Sequence, residues 1–119
     1  MDVHGYLTDY SNDLVFGTDD PATVIDRYHA PGFDMTVDGR VWSRERLIAH
    51  AHPVRRNTVS AEVVVRRTLV TGRDFAAVHD LRATTRAGHE VNISVLSLGR
   101  IAEDGRIARI NQTQLPEST

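Results

Sequence analysis

Six histidines and no cysteine carry most of the acid–base chemistry open to this 119-residue chain near neutral pH. His79 stands in an alternating run, in the row Phe75, Ala77, His79, Leu81 and Ala83; Ala76, Val78, Asp80, Arg82 and Thr84 form the other row. On a strand the two rows point to opposite faces. The first is the better core face, so His79 is expected to point inward among apolar residues. Burial there penalises the charged ring, lowers its pKa and leaves a neutral imidazole suited to general-base work. The competing role is a core histidine bonded to a backbone or side-chain partner. Asp80 is adjacent but points away, so the two do not form a dyad.

Other polar candidates follow from spacing. His50 sits on a helical stretch one turn after Leu47 and beside Ile48. His52 is two residues on, which on a helix turns it away from His50. His-x-His would chelate from a strand rather than a helix, and no third ligand is clearly placed, so no metal is expected. Gln112 falls in the row Ala108, Ile110, Gln112 and Gln114 of the last strand. It could orient a carbonyl or hydroxyl, or serve a buried polar group of the protein itself. Trp42, the single tryptophan, is expected as a wall of a pocket mouth or as an anchor for the helix that follows it.

The elements that must hold these residues are legible from periodicity. Val3, Tyr6, Leu7, Tyr10 and Leu14 mark the apolar face of a helix from about Asp2 to Val15, stopped by Gly17. Asp20-Pro21 starts a second helix, with Val24, Ile25 and Tyr28 buried and Pro31-Gly32 as its end. Phe33, Met35 and Val37 alternate with Asp34, Thr36 and Asp38 in a short strand. Asp38-Gly39 is a hairpin signal, and Arg40–Trp42 is the return strand. Ser43 caps a third helix with Leu47, Ile48 and Ala51 inside and Pro53 near its end. Four long strands follow: 59–70, 75–85, 89–101 and 106–115. Strands of this length are built to curve. The tail Pro116–Thr119 is expected to fray. The fold class is α+β: a cone-shaped, curved antiparallel sheet wrapped around three N-terminal helices, in one domain.

Bulk properties exclude several functions. The net charge is −2 and all 14 basic residues are arginine. There is no positive field and no interleaving of arginines with aromatics, so nucleic acid is not an expected partner. Arg55-Arg56 and Arg66-Arg67 are pairs expected on solvated surface or at a subunit contact, the latter pointing to opposite faces of a strand. No leader or membrane span is visible, which makes cytoplasmic residence the default. Without a secretion signal the triplets at Asn92 and Asn111 are read as chance.

The order α-α-β-β-α-β-β-β-β resembles the nuclear transport factor two-like superfamily, whose sheet is the cystatin-like α+β roll. The resemblance is carried by Tyr28-His29-Ala30-Pro31-Gly32-Phe33, by the hairpin before Ser43-Arg44-Glu45, by Gly72-Arg73-Asp74-Phe75-Ala76-Ala77-Val78, and by Asp104-Gly105-Arg106-Ile107. Its branches most similar to this chain are the SnoaL-like polyketide cyclases and the ketosteroid isomerases. The isomerases place a tyrosine late in the first helix, which points to Tyr10 as a donor to an oxyanion. Their inward aspartates have no match: the corresponding rows read Phe33, Met35, Val37 and Val91, Ile93, Val95, Ser97. The epoxide-hydrolase branch relies on an Asp-Arg-Asp set; Asp80 and Arg82 have outward parity and lack the second aspartate.

The resemblance implies a cofactor-independent enzyme moving protons on a small, apolar, oxygenated substrate, in a cyclisation, isomerisation or dehydration. His79 would be acid or base; Tyr10, His50 at the pocket wall and Gln112 would hold the substrate. Phe33, Met35, Val37, Trp42, Leu81, Val91, Ile93 and Ile110 would exclude water. It also implies a homodimer packed through the outer sheet face, whose visible residues are Glu62, Asp80, Arg82, Glu90, Asn92 and Ser94. A non-catalytic binding or assembly module of the same fold is the alternative.

Overall fold

A computed structural model describes residues 2–116. Its first helical run, α1, comprises Val3–Gly5, a π-helical stretch Tyr6–Tyr10 and Ser11–Phe16. The Asp2 carboxylate caps it by accepting from the Gly5 N–H at 2.5 Å. At the other end Gly17 donates to the Asp13 carbonyl. A Cβ on Gly17 would lie 2.3 Å from that oxygen, so the stop requires glycine for close approach rather than for a left-handed turn. Arg55 closes the same end: its Nε donates to the Leu14 carbonyl at 2.6 Å and its Nη2 to that of Asp13 at 3.3 Å. Arg55 is thus an internal brace between two helices, not the solvated or intersubunit residue its sequence suggested.

Helix α2 (Pro21–Tyr28) begins at an Asp20 cap that accepts from the Ala22 N–H at 2.9 Å. Such a cap contributes about 1 kcal/mol. Its Val24 and Ile25 are wholly buried. It stops at Tyr28, three to four residues before Pro31-Gly32, because β1 (His29–Val37) already pairs with the last strand at His29. Pro31 disfavours helical Ala30, and the pairing register shifts between His29 and Asp34, where Gly32 takes φ 71°. Asp38 and Gly39 have φ 51° and 79°, the positive pair demanded by a two-residue hairpin into β2 (Arg40–Val41). Helix α3 (Arg44–Asn57) starts where Ser43 Oγ accepts from the Arg46 N–H at 3.1 Å. Pro53 lies inside it, four residues before its end.

Strands β3 (Thr58–Thr71), β4 (Asp74–Thr85), β5 (Glu90–Ile101) and β6 (Ile107–Pro116) complete one curved, unclosed sheet in the order β2-β1-β6-β5-β4-β3. The expectation of an antiparallel sheet holds for every pair but one. β1 runs parallel to β6, with Met35 opposite Ile110 and Val37 opposite Gln112, so the sheet is mixed. Periodicity carries no information about the direction of a partner 75 residues away in the chain. The expected fraying of the tail concerns residues 117–119, outside the described residues, whereas Pro116 ends β6 opposite Ile93.

The core lies between the helices and the concave face. It joins Val3, Tyr6 and Leu7 of α1, Val24, Ile25 and Tyr28 of α2 and Leu47 of α3 to Met35, Phe75, Ala77, Ile107 and Ile110 of the sheet. Phe75 finds room because Gly99 stands opposite it; a Cβ there would lie 2.5 Å from the ring. On the convex face a bulge at Arg66 breaks the alternation between Val65, opposite His79, and Arg67, opposite Val78. Arg66 therefore reaches Asp80 on that face at 3.2 Å, instead of pointing opposite to Arg67. Asp80 also accepts from Ser94 Oγ at 2.9 Å and is only 4% exposed. The expected polar outer face is accurate for one end alone. Val64, Leu69, Leu96, Leu98 and Leu115 form an exposed apolar strip across β3, β5 and β6.

Candidate functional site

A cavity of about 380 Å³ opens between α1, α3 and the concave face. Strand parity delivers Met35 and Val37 from β1, His79 and Leu81 from β4, Val95 from β5 and Gln112 and Gln114 from β6. Helix α1 contributes Tyr6, Leu7, Tyr10, Ser11 and Leu14, and α3 contributes Leu47 and His50, with Trp42 just before it. Among the described residues no Asp, Glu, Arg or Lys lines the cavity. The outward aspartates are occupied elsewhere: Asp38 Oδ1 accepts from the Gln114 N–H at 2.9 Å, and Asp80 lies on the far face.

His79 is 7% exposed, and its Nδ1 is buried without a hydrogen-bond partner. Burial lowers its pKa; the Asp80 charge across the strand opposes that shift but does not cancel it. Tyr10 carries the second such atom, a buried hydroxyl with no partner. Burial raises its pKa strongly, so it stays a protonated donor. Unpaired buried polar atoms cost about 1–3 kcal/mol each, and the two residues that carry them line one cavity.

The other expected residues divide. Gln112 donates from Nε2 to the fully buried Ser97 Oγ at 3.2 Å, so its amide oxygen is the atom Ser97 leaves unengaged. His50 lines the cavity but is exposed at its rim, edge-on to Trp42 with ring centroids 5.1 Å apart. Trp42 carries Arg46 over its face at 4.2 Å and separates the cavity from a second groove of about 530 Å³, so it is wall and helix anchor together. Met35, Val37 and Leu81 line the cavity as expected. Phe33, Ile93 and Ile110 do not. Phe33 faces the second groove and packs on His29 at 4.7 Å, Ile110 is sealed in the core, and Ile93 pairs with Leu81 beyond the lining. Val91 is likewise absent from it.

Two residues were missed in the sequence. Tyr6 lines the cavity and its hydroxyl lies 2.8 Å from His29 Nε2. His29 Nδ1 lies 2.8 Å from the Ile25 carbonyl, which can only accept. Nδ1 is therefore the protonated nitrogen and Nε2 accepts the Tyr6 proton. Burial pushes the His29 pKa down to about 4 and the Tyr6 pKa well above its usual value. The only available signal was Tyr6 one helical turn from Tyr10; His29 read as the tail of a helix. Among the described residues no cluster of His, Asp or Glu is set to hold a metal ion, and no helix is long and apolar enough to cross a membrane.

No protein-family model and no curated protein matches the sequence. Solved structures match the fold. IdmH from Streptomyces antibioticus, a candidate polyketide cyclase, superposes with a TM-score of 0.70 at 15% identity, over 94% of this chain and 88% of its own. A candidate SnoaL-like polyketide cyclase from Jannaschia sp. CCS1 gives 0.63 at 18% identity, over 89% and 83%. A Catenulispora acidiphila protein of ketosteroid isomerase-like fold, solved with trimethylamine, gives 0.67 at 11% identity, over 92% and 82%. The chain thus has the nuclear transport factor two-like fold that its sequence resembled.

Proposed function

We propose that this protein is a cofactor-independent acid–base enzyme that moves a proton on a small, uncharged, oxygenated molecule held in the concave cavity. The observation that carries this reading is that Tyr10 and His79, each with a buried, unpartnered polar atom, line one cavity with no charged residue in its described lining. His79 acts as the neutral base that accepts a proton next to a carbonyl. The Tyr10 hydroxyl donates to the oxygen on which negative charge develops. The Gln112 amide and His50 orient the substrate at the inner wall and the rim. Apolar lining keeps water out and strengthens these contacts. The likeness of fold to candidate polyketide cyclases and to a candidate isomerase of the SnoaL-like family from Agrobacterium tumefaciens supports this chemistry as a class and names no substrate.

Proton transfer of this kind is visible without knowing the physiological substrate. Apolar cyclic ketones incubated in deuterated water should exchange their α-protons faster with the protein than without it. His79→Ala should remove that acceleration by about a hundredfold or more, the scale of one general base. Exchange that the wild type fails to accelerate, or that survives in the folded His79→Ala variant, overturns the reading.

A non-catalytic binding module of the same fold is favoured by one feature. His79 has no carboxylate or carbonyl on Nδ1 to orient its ring, as histidine bases commonly do. Either reading fits a homodimer formed through the convex face, where the strip of Val64, Leu69, Leu96, Leu98 and Leu115 meets a second copy.

A further inference from the structure

The buried chain Tyr6–His29–Ile25 has no part in that chemistry, and its polarity is fixed. The Ile25 carbonyl cannot donate, so His29 carries its proton on Nδ1 and offers Nε2 as an acceptor. The only proton at hand for Nε2 is that of the Tyr6 hydroxyl, 2.8 Å away. Tyr6 has thereby spent its proton on the protein interior. What its oxygen has left for any other neighbour is lone pairs, and a phenol that donates is a better acceptor for doing so.

Tyr6 lines the same cavity as Tyr10, and the two rings stack 5.4 Å apart within 6° of parallel. Burial raises the Tyr6 pKa, and Tyr10 adds to that upward shift. Yet Tyr10 Oη makes no hydrogen bond. The cavity lining thus includes two stacked tyrosines, one whose hydroxyl proton is held by His29 and one whose hydroxyl has no partner.

We propose that Tyr6 is a ligand-contacting residue whose hydroxyl, with its proton held by His29, acts as an acceptor and selects uncharged ligands that carry a hydroxyl proton. Tyr10 accepts the complementary role of donor to a carbonyl or ether oxygen. A ligand bearing both a hydroxyl and a carbonyl satisfies the two together. This rests on the cavity being a small-molecule site, but not on His79 performing any reaction.

Binding of three matched probes separates the contributions: 4-tert-butylcyclohexanol, its methyl ether and the corresponding ketone, titrated by calorimetry. The wild type should bind the alcohol about tenfold more tightly than the ether, the scale of one hydrogen bond to a fixed acceptor. Tyr6→Phe should erase that preference and leave ketone affinity within about twofold, since the ketone calls only on Tyr10. His29→Leu gives an independent reading should Tyr6→Phe not fold. It frees the Tyr6 proton, so the ketone should bind more tightly while the alcohol loses its advantage; the Ile25 carbonyl keeps the His29 backbone N–H as partner in either case. A merely structural dyad would weaken all three probes alike. An absent alcohol preference in the wild type, or one that persists in either folded variant, overturns the proposal. The probe preference is read in the wild type and the Tyr6 and His29 variants, and proton exchange in His79→Ala, so the two ideas fail separately.

Discussion

Tyr6 and Tyr10 present nearly parallel rings to one another, 5.4 Å apart, but their hydroxyls have opposite circumstances. Tyr6 donates to His29 at 2.8 Å, whereas the Tyr10 hydroxyl is buried with no partner among the described residues. Removing each oxygen should therefore have opposite consequences for stability. Tyr6→Phe strands the buried His29 Nε2 and should cost about 1–3 kcal/mol. Tyr10→Phe removes an unsatisfied group and should be neutral or stabilising by up to about 1 kcal/mol. Urea unfolding of both variants measures this. Equal destabilisation would mean that Tyr10 has a partner within the protein.

The neutral state of His29 gives the fold an acid limit. In the unfolded chain the ring takes a proton near 6.5; in the folded one burial delays it to about 4. Between those values the unfolded state binds more protons, so stability falls as pH drops from about 6.5 to about 4 and is level again below. The difference amounts to about 3 kcal/mol. His29→Gln should flatten that part of the stability profile. A profile unchanged by the substitution would assign the acid limit to other groups.

His79 is held below its ordinary pKa by burial, against the pull of Asp80. Asp80→Asn removes that pull and should move the His79 titration further down, read from its ring protons by NMR. If His79 is the base, catalysed exchange should be level near neutral pH and decline as pH falls through its depressed pKa. In Asp80→Asn the decline should begin at a lower pH. A shift upward, or none, would disconnect the two residues.

Leu96 and Leu98 stand on the convex face at 49% and 55% exposure, and Val64, Leu69 and Leu115 are exposed on the same face. A strip of this kind favours self-association. Leu98→Glu should convert a dimer into a monomer in sedimentation velocity, with the cavity and its ligand affinity retained. A wild-type chain that sediments as a monomer at high concentration would remove the dimer from consideration.

Gly99 is the position where a single methyl group should do most harm to the sheet. Its Cβ would lie 2.5 Å from the Phe75 ring and 2.6 Å from the Arg109 carbonyl. Backbone cannot retreat as a flexible side chain can, so Gly99→Ala should cost about 2–3 kcal/mol. A thermal midpoint equal to wild type would show that the Phe75 ring can be displaced freely.

The strands and their faces were legible because alternation along β4, β5 and β6 is a local property of the sequence. Parity alone placed His79 and Gln112 toward the cavity and Asp80 away from it. What stayed hidden depends on partners distant in sequence. The parallel register of β1 on β6 drew His29 out of the second helix, and with it the Tyr6 bond that defines one wall. The bulge at Arg66 broke a parity that the sequence alone would have continued. Phe33, Ile93 and Ile110 show the limit from another side: facing the concave side of a sheet is not the same as lining a cavity, because helices fill part of that side.

Trp42 gives the molecule a built-in optical sensor. As the chain's single tryptophan it emits without competition from another indole. It stands between the cavity and the outer groove, with the Arg46 guanidinium over its face and the His50 ring at its edge. Any occupant of either space touches the same fluorophore, so wavelength and intensity can follow entry and exit in real time with no label attached.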